Sequence, residues 1–497
     1  MRGKSEANMR VRVAGYNVDI DELGKVADAV RAVGAVLTPE TLSAAYARIS
    51  KHDEDVDVLR GRAVEDVEKV RASNENIVFE QGHASIAEHA VFNVDVMGVS
   101  RLAIEELEAQ RIASYTEKSQ RYVRLGEDYI IPEELTGSLR DEFVDHIRAG
   151  TVAHGRINEA LRALWSELDP VPEDSAEKRA WRRRRRERIR EDARYAATLA
   201  ATGQLGMTLN ARAVESASRR MMASPLGEVR TMARSLVEEV RAVAPSLIRY
   251  TEATPVEVWR RGSGASSSRS TSGPAPAVRL LNPRKDWDLR VAAACMVEQG
   301  RGSLQAAIEY LGATPAGAAD ILSDLRSRTG QHDPMPRGFE LVRLDFDLVC
   351  SASCFAQLKR HRIATVIPGP YDPALGITIP PHVAAAGAAE VLQDFAKKAT
   401  ALHDRIASEA GPAIAAYALT NAHRRRVLFS CHLRELVHLS RLRMDEHAQW
   451  DIRALSTEMC RQVREVMPLA GAFLSGKDGW ICPKTNQNRE LADRLGR

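Results

Sequence analysis

Residues 109–122 read Ala109-Gln110-Arg111-Ile112-Ala113-Ser114-Tyr115-Thr116-Glu117-Lys118-Ser119-Gln120-Arg121-Tyr122. Residues 360–371 read Arg360-His361-Arg362-Ile363-Ala364-Thr365-Val366-Ile367-Pro368-Gly369-Pro370-Tyr371. Both segments contain Arg-Ile-Ala followed by a hydroxyl residue, so they look like two damaged copies of one motif. The first copy keeps a Glu, a Ser and an Arg that the second has lost, and the second keeps the opening Arg-His. If the copies face each other, the retained parts would complete one site.

The length and composition indicate a globular protein of more than one domain. The chain has 497 residues, which is too many for one ordinary core. Hydrophobic residues make up 44% and charged residues 28%, as in soluble proteins. The net charge of +3 argues against a protein that coats nucleic acid. No apolar run is long enough for a membrane span or a signal core, so we expect a cytoplasmic protein with no membrane partner.

The cysteines favour structural thiols over a metal site. All six lie in the C-terminal half, and none of them forms a Cys-x-x-Cys pair. In a cytoplasmic protein such cysteines are expected to be reduced and structural. We therefore predict no metal ligands.

A Gly/Ser-rich stretch divides the chain into two similar halves. It runs from Gly262 to Ala277 and has too little apolar surface to pack. We predict an N-terminal unit at 1–260, a flexible linker at 261–278 and a C-terminal unit at 279–497. The shared order of segments in the two halves is that expected of a duplicated and fused unit.

Each half is predicted to be an α+β unit, with a small antiparallel or mixed sheet and flanking helices. Alternating apolar and polar residues predict strands at Ala90–Val96 and Phe339–Phe346. A helix should lead into each motif, from Ser100 to Arg111 and from Ser351 to Arg362. Long helical regions should close the halves, at Leu226–Ala244 and Leu433–Val466.

An arginine-rich run, Trp181–Arg188, has two interpretations. It is either a patch that binds phosphate or RNA, or the solvated face of a helix. Acidic residues such as Glu177, Glu187 and Glu191 lie nearby, and they favour the solvated face.

At the two motifs the chain resembles the flavin-dependent thymidylate synthases. That family shows the pattern Arg-His-Arg-x-x-Ser-x-x-Glu-x-Ser-x-Arg-Tyr. Its back end is similar to Arg111–Tyr122, and its front end is similar to Arg360–Arg362. Further segments that resemble the family are Ala45–Ser50, Gly82–His89, Asn210–Arg212, Leu433–Arg443 and Ala448–Arg453.

The resemblance implies a deoxyuridylate site with ligands from both halves, because family sites lie between subunits. The first half would supply Glu117, Ser119, Arg121 and Arg194, and the second Gln357, Arg360 and Arg443. At the matching positions the first half has Glu106, Ala109 and Met221, and the second has Ala416 opposite Arg194. Loss on one side is thus matched by retention on the other. This pattern implies that one composite site is kept and its reciprocal is abandoned.

The residue types suit that ligand. A nucleotide monophosphate carries about two negative charges, which arginine forks bind in pairs without titrating away. A guanidinium near the uracil ring would also stabilise developing negative charge. The resemblance implies that Ser119 orients or activates the pyrimidine and that Arg121 and Arg443 act beside it in catalysis.

The resemblance also implies a flavin site and two co-substrates. FAD would deliver hydride, methylenetetrahydrofolate would supply the carbon, and NADPH would reduce the flavin. The expected cofactor-binding residues are Ser50, His83, Ser85, Glu88, Asn210, Arg212, Arg360, His361, Arg362, Arg434 and His438. His432 stands where the family has an asparagine.

The function implied is an FAD-dependent methyltransferase that makes dTMP from dUMP, in a chain that pairs as a homodimer to reproduce the family's four-unit assembly. Two alternatives stay open on the sequence. One is a related flavoenzyme that methylates or hydroxymethylates another uracil nucleotide, such as UMP, because ribose discrimination rests on one small contact. The other is a non-catalytic protein that binds flavin or nucleotide.

Overall fold

The computed structural model describes residues 9–18, 38–49, 58, 63, 67–121, 128–262, 276–314 and 316–477. The elements of the N-terminal half are β1 Arg10–Tyr16, α1 Glu40–Ile49, α2 Val67–Glu75, β2 Val91–Ser100, α3 Arg101–Glu108, β3 Ser114–Glu117, α4 Gly137–Leu168, α5 Ser175–Ala193, β4 Thr202–Asn210, α6 Ala211–Met222, α7 Gly227–Val243 and α8 Pro255–Arg260. A π-helical turn, Asn76–Glu80, and 3₁₀ helices at Ala84–His89, Arg194–Ala196 and Pro245–Leu247 complete it.

The C-terminal half repeats this order in most respects. Its elements are β5 Val278–Leu280, α9 Trp287–Glu298, α10 Leu304–Ala313, α11 Gly317–Arg328, β6 Arg343–Ser351, α12 Ala352–Leu358, β7 Thr365–Tyr371, α13 Pro381–Ala385, α14 Ala389–Glu409, α15 Pro412–Ala415, β8 Arg424–His432, α16 Leu433–Arg443, α17 Trp450–Val466 and α18 Pro468–Gly471. Its 3₁₀ helices are Arg337–Leu341, Pro373–Leu375 and Ala416–Ala418.

Two antiparallel sheets of the same topology form the framework. Over the described residues each has four strands, in the orders β1-β2-β4-β3 and β5-β6-β8-β7. The central pairs are β2 with β4 and β6 with β8, and the motif strand β3 or β7 lies at the edge. The predicted α+β class, with two related units, is confirmed.

Alternation along the central strands explains which face is buried. In β2, Phe92, Val94 and Val96 are buried, whereas Asn93 is exposed. An amphipathic helix covers each sheet: α7 contacts β1, and α17 contacts β5. Burying each large apolar side chain contributes about 1.5–3 kcal/mol, so these faces hold the strand register.

Two serines mark the junction from central strand to motif helix. Ser100 Oγ accepts from Ala103 N–H and caps α3, and Ser351 Oγ accepts from Cys354 N–H and caps α12. Both hydroxyls also donate to a carboxylate in the first turn of a later helix, Ser100 to Glu228 of α7 at 2.6 Å and Ser351 to Asp451 of α17. The two motif helices therefore start from the same local structure.

The expected strand Phe339–Phe346 is wrong in its first part. Arg337–Leu341 is a 3₁₀ helix, and β6 begins only at Arg343. The backbone N–H groups of Arg337 and Gly338 donate to the Glu298 carboxylate at 3.2 and 3.0 Å, which satisfies donors that a helix start leaves open. This contact is remote in sequence, so alternation alone did not reveal it.

The motif helices are also shorter than expected. They end at Glu108 and Leu358, before the Arg-Ile-Ala segments. In the first copy the Tyr115 hydroxyl donates to the carbonyls of Leu107 and Gln110 at 3.1 and 3.2 Å. This bond closes the helix end as the chain returns to pair β3 with β4.

The chain clusters into two compact units. One comprises Met1–Thr271 with His382–Thr420, and the other comprises Ser272–Pro381 with Asn421–Arg497. In the first unit, α14 packs on α4, with the His146 and Phe395 rings stacked at 4.8 Å. His146 Nε2 donates to Ala418 O at 2.8 Å, so the segment 382–420 is integral to this unit.

The arginine-rich run lies on α5, where Arg182, Arg183 and Arg184 are exposed. The Arg188 guanidinium lies 4.7 Å from the Trp165 ring centroid. This arrangement is the solvated helix face that the neighbouring acidic residues favoured. Over the described part of the chain, no helix combines the length and the apolar character needed to span a bilayer.

Candidate functional site

The motif of the first unit places three predicted ligands at the end of a short strand and in the turn that follows it. Glu117 ends β3 opposite Leu205 of β4, and the N–H of Lys118 donates to Gln204 O at 2.9 Å. Beyond this anchor the chain turns, and Ser119 Oγ accepts from Arg121 N–H at 3.2 Å. Glu117 is thus the last residue of the strand, whereas Ser119 and Arg121 are joined to each other by this bond in the turn that follows.

Arg121 and Arg194 both contact Glu191, the first at its carboxylate and the second at its backbone carbonyl. Arg121 Nε lies 2.8 Å from Glu191 Oε1, and Arg194 Nε donates to the Glu191 carbonyl at 3.2 Å. Burial raises the pKa of Glu191, against the lowering by both guanidiniums. The two arginines predicted from different parts of the sequence are therefore neighbours.

Arginine and glutamate side chains are interleaved there. Burial lowers the pKa of Arg194, and the nearby guanidiniums of Arg121 and Arg101 lower it further. Three arginines thus lie within electrostatic reach of one another in a buried region, where charges are weakly screened. Three carboxylates, those of Glu105, Glu117 and Glu191, offset this charge. Arg121 and Arg194 are the forks that can offer a phosphate paired guanidinium hydrogen bonds.

Arg101 was missed by the sequence reasoning. Its side chain is only 2% exposed and lies 3.3 Å from Glu117 and 3.2 Å from Glu105. The available signal was an arginine inside the otherwise apolar run Val99–Ile104, which has to be paired if it is buried.

In the second unit, Gln357, His361 and Arg443 form a bonded group. Arg443 Nε donates to His361 Nε2 at 3.1 Å, and Arg443 Nη2 donates to the Gln357 carbonyl at 3.3 Å. His361 Nδ1 lies 3.1 Å from Glu435 Oε1. Because arginine cannot accept a hydrogen bond, Nε2 of His361 is the acceptor and Nδ1 carries the proton.

The surroundings of His361 keep it neutral. His361 is 3% exposed, and burial lowers its pKa, against the hydrogen bond that it donates to Glu435, which raises it. The exposed His438 ring lies 6.1 Å away, centroid to centroid. Arg360 is exposed and Arg362 half-buried just beside this group.

Arg434 is held by its own unit. Its Nε donates to Met335 O at 2.7 Å, and Nη1 donates to Glu340 at 2.8 Å. His432 caps α16 by accepting from Glu435 N–H at 2.9 Å. Asn210 does the same for α6 by accepting from Ala213 N–H at 2.8 Å. The histidine that replaces an asparagine thus keeps the capping role.

The expected cofactor residues of the first unit lie around the 3₁₀ helix Ala84–His89. His83 and Ser85 are exposed, and Glu88 pairs with Arg212 of α6. These side chains form one polar surface next to the start of α6. Ser50 lies outside the described residues.

In the first unit, Glu106 and Gln110 stand at the positions that correspond to Gln357 and His361, and both have partners within the unit. Both oxygens of Glu106 are bound by the Arg261 guanidinium, at 2.7 and 2.8 Å. Arg220 donates to Gln110 Oε1 at 3.1 Å and to Glu106 O at 3.2 Å. The second unit has proline at 368 and 370, where the first has Glu117 and Ser119. Each unit thus retains a different half of the motif.

A cavity of about 670 Å³ opens in the first unit beside the motif. Gln120, between Ser119 and Arg121, lines its rim, and α4 contributes His154 and Asn158 to its wall. Over the residues for which side chains are described, no cluster of His, Cys, Asp or Glu suits a metal ion.

These features define a protein of two related α+β units, each with an edge strand that carries one part of a shared motif. Residues 33–246 and 281–469 match the model of the thymidylate synthase complementing protein family. The chain belongs to this family, and the resemblance to flavin-dependent thymidylate synthases is confirmed.

Two relatives show how the similarity is distributed. The UPF0159 protein of Thermoplasma acidophilum is 26% identical over 438 residues, which cover 80% of this chain and 86% of that protein. The flavin-dependent thymidylate synthase of Clostridium tetani is 33% identical over 180 residues, which cover 35% of this chain and 68% of that protein. The former therefore matches across most of both halves.

A solved structure is also similar, more distantly. The UMP/dUMP methylase PolB from Streptomyces cacaoi, bound with 5-Br dUMP, has a TM-score of 0.32 at 17% identity. The match covers 49% of this chain and 93% of that chain. A likeness of this size carries no argument about the present chain.

Proposed function

We propose that this protein is a flavin-dependent thymidylate synthase, a methyltransferase that converts dUMP to dTMP. The observation that carries the proposal is the meeting of Arg121 and Arg194 at Glu191, beside the Glu117–Arg121 motif. A nucleotide monophosphate matches this charge, with its phosphate on the guanidiniums and its ring towards Ser119.

The side chains have separable tasks in this proposal. Arg121 and Arg194 bind the phosphate, with Glu191 holding Arg121 in place until the anion arrives. The Ser119 hydroxyl orients the pyrimidine. Arg443, directed by neutral His361, stabilises the negative charge that develops on the uracil ring.

The chemistry of the first unit's polar surface suits a flavin dinucleotide. His83 and Ser85 offer exposed hydrogen-bond donors, and Arg212 offers a cation next to them, which is what a diphosphate needs. Bound FAD would supply the hydride that completes the methyl group. We propose methylenetetrahydrofolate as the carbon donor and NADPH as the reductant.

The complementary retention of motif residues supports one site to which both halves of the sequence contribute. The halves are those expected from the sequence, 1–260 and 279–497. Glu117, Ser119, Arg121 and Arg194 survive only in the first half, and Arg360 and Arg443 only in the second. Independent decay would not divide a ligand set in this way. We propose a homodimer, with half as many complete sites as motif copies.

The test is a binding and turnover series on the full chain. Purified protein should show a flavin spectrum after addition of FAD, and this spectrum should change when dUMP is added. With methylenetetrahydrofolate and NADPH also present, the protein should form dTMP. R121M and R360M should each weaken dUMP binding about 10- to 100-fold, because each removes a charge-assisted phosphate contact.

R284M is the matched control, because Arg284 is exposed and pairs with Asp286 at 3.0 Å, away from the motifs. It should leave dUMP binding unchanged. If either R121M or R360M binds dUMP like the wild type, the shared site is wrong. Preferential turnover of UMP would reassign the substrate.

A further inference from the structure

Arg101 is among the largest fully buried side chains of the described residues. It opens α3, directly after the Ser100 cap. The N-terminal end of a helix carries partial positive charge, so a cation is disfavoured there, and burial adds a desolvation cost. A buried arginine at this position needs strong compensation from its neighbours.

That compensation comes from two carboxylates. Arg101 Nη2 lies 3.2 Å from Glu105, one turn along α3, and Nη1 lies 3.3 Å from Glu117 at the end of β3. The three side chains are 2%, 7% and 8% exposed. The rigid fork thereby joins the motif helix to the motif strand, and it fixes where the Glu117 carboxylate points.

The second unit has lost all three members together. Counting from the equivalent caps, Ser100 and Ser351, the positions of Arg101 and Glu105 are Ala352 and Ala356. The equivalent strand position of Glu117 is Pro368, by the pairing of β3 with β4 and of β7 with β8. A purely structural cluster would be expected in both units, because both build the same strand-to-helix junction. This cluster occurs only where Glu117 and Ser119 are retained.

We propose that Arg101 is a positioning residue for the nucleotide site, holding Glu117 in the orientation that meets the pyrimidine nucleotide. The inference rests on the proposed function of that site. Arg101 itself is 2% exposed, so it acts through the Glu117 carboxylate, and Glu105 shares the guanidinium at the helix start.

The experiment is a double-mutant cycle of R101K and E117Q on the full-length protein, read out as the dUMP dissociation constant. R101K keeps the charge but loses the fork, so one of its two carboxylate contacts is lost. We expect R101K to weaken dUMP binding about tenfold, in line with the large cost of small misplacements in sites. In the E117Q background the same change should have less than a twofold effect, because there is no carboxylate left to orient.

R241K is the control, since Arg241 is an exposed arginine whose fork also makes two hydrogen bonds, to the carbonyls of Ile248 and Arg249. It should leave dUMP binding unchanged. Equal effects of R101K with and without E117Q would show a structural role only and would overturn the proposal. Wild-type dUMP binding by R101K would overturn it as well.

The proposed function fails separately. A wild type that binds no dUMP would overturn the proposed function. If the wild type binds dUMP and E117Q binds it equally well, Glu117 is no nucleotide ligand, so the positioning role falls and the dUMP site stands. A crystal structure of R101K gives a readout that needs no ligand: an unmoved Glu117 carboxylate would overturn the positioning role alone.

Discussion

Arg443 and His361 share a hydrogen bond that only a neutral imidazole can make. The Arg443 Nε to His361 Nε2 distance is 3.1 Å, and arginine is the donor. Protonation of Nε2 would replace an acceptor by a donor and set two positive charges against each other. The orientation of a proposed catalytic arginine therefore depends on the protonation state of a buried histidine.

This relationship predicts a loss of stability in acid. Burial lowers the pKa of His361 below its ordinary value of about 6.5, so the unfolded chain takes up this proton first as the pH falls. The contribution of His361 to the free energy of unfolding should decrease as the pH falls below about 6.5, and it should not change with pH above that value. Urea unfolding of wild type and H361Q between pH 5 and 8 measures the difference. A gap between them that does not vary with pH would contradict the prediction.

The Glu106–Arg261 pair predicts a structural role for the position that corresponds to Gln357. Its bidentate geometry is good, but both side chains are about a quarter exposed, so the pair is expected to contribute about 1 kcal/mol. E106Q and R261M should each lower the free energy of unfolding by that amount, and the double variant should lose no more. dUMP affinity should stay at the wild-type value in all three. Weaker dUMP binding by E106Q would show that this position still contacts the ligand.

Ser119→Ala tests the hydroxyl of the motif turn. The backbone of the turn is also held by Lys118 N–H, so the fold and the Arg121 position should survive. If Ser119 orients the pyrimidine, the loss of one hydrogen bond should lower kcat about tenfold or more, with a smaller change in dUMP affinity. S119C is a useful companion, because it keeps a weaker donor. Wild-type turnover by S119A would remove Ser119 from the reaction.

Gly150→Ala tests the packing of α14 on α4. A Cβ at Gly150 would come within 2.7 Å of Phe395 Cζ, which is closer than real contacts allow. The Phe395 ring is stacked on His146 and has little room to yield. We expect a loss of about 1–3 kcal/mol in the free energy of unfolding. Gly155→Ala, on the same helix with no atom within 4 Å, is the matched control and should be neutral or stabilising.

The sequence was most informative where local patterns determine structure. Alternation identified β2 through Phe92, Val94 and Val96, and the two motif copies located the edge strands. It failed where a remote residue decides the outcome. Glu298 turns the start of the Phe339–Phe346 segment into a 3₁₀ helix, and no local pattern contains that contact.

The site was predictable only as far as the motif extends. Glu117, Arg121 and Arg194 were predicted as ligands from the sequence, and this stays a prediction, but their ionic partners were not foreseen. Arg101 and Glu191 are ordinary charged residues in sequence, and their roles follow from burial and from distances of 3.3 Å and 2.8 Å. Pairing of this kind depends on the return of the chain through α5 and β4, which spacing along the sequence does not specify.

The membership of His382–Thr420 in the first unit has a practical consequence for dissecting this protein. A fragment that stops in the Gly/Ser-rich stretch after Gly262 would lack α14, and it would leave the His146 ring and the Gly150 surface of α4 open to water. Such a truncation is expected to aggregate, because it uncovers an apolar face. Attempts to express this unit separately should supply residues 382–420 as a covalent graft or a co-expressed peptide.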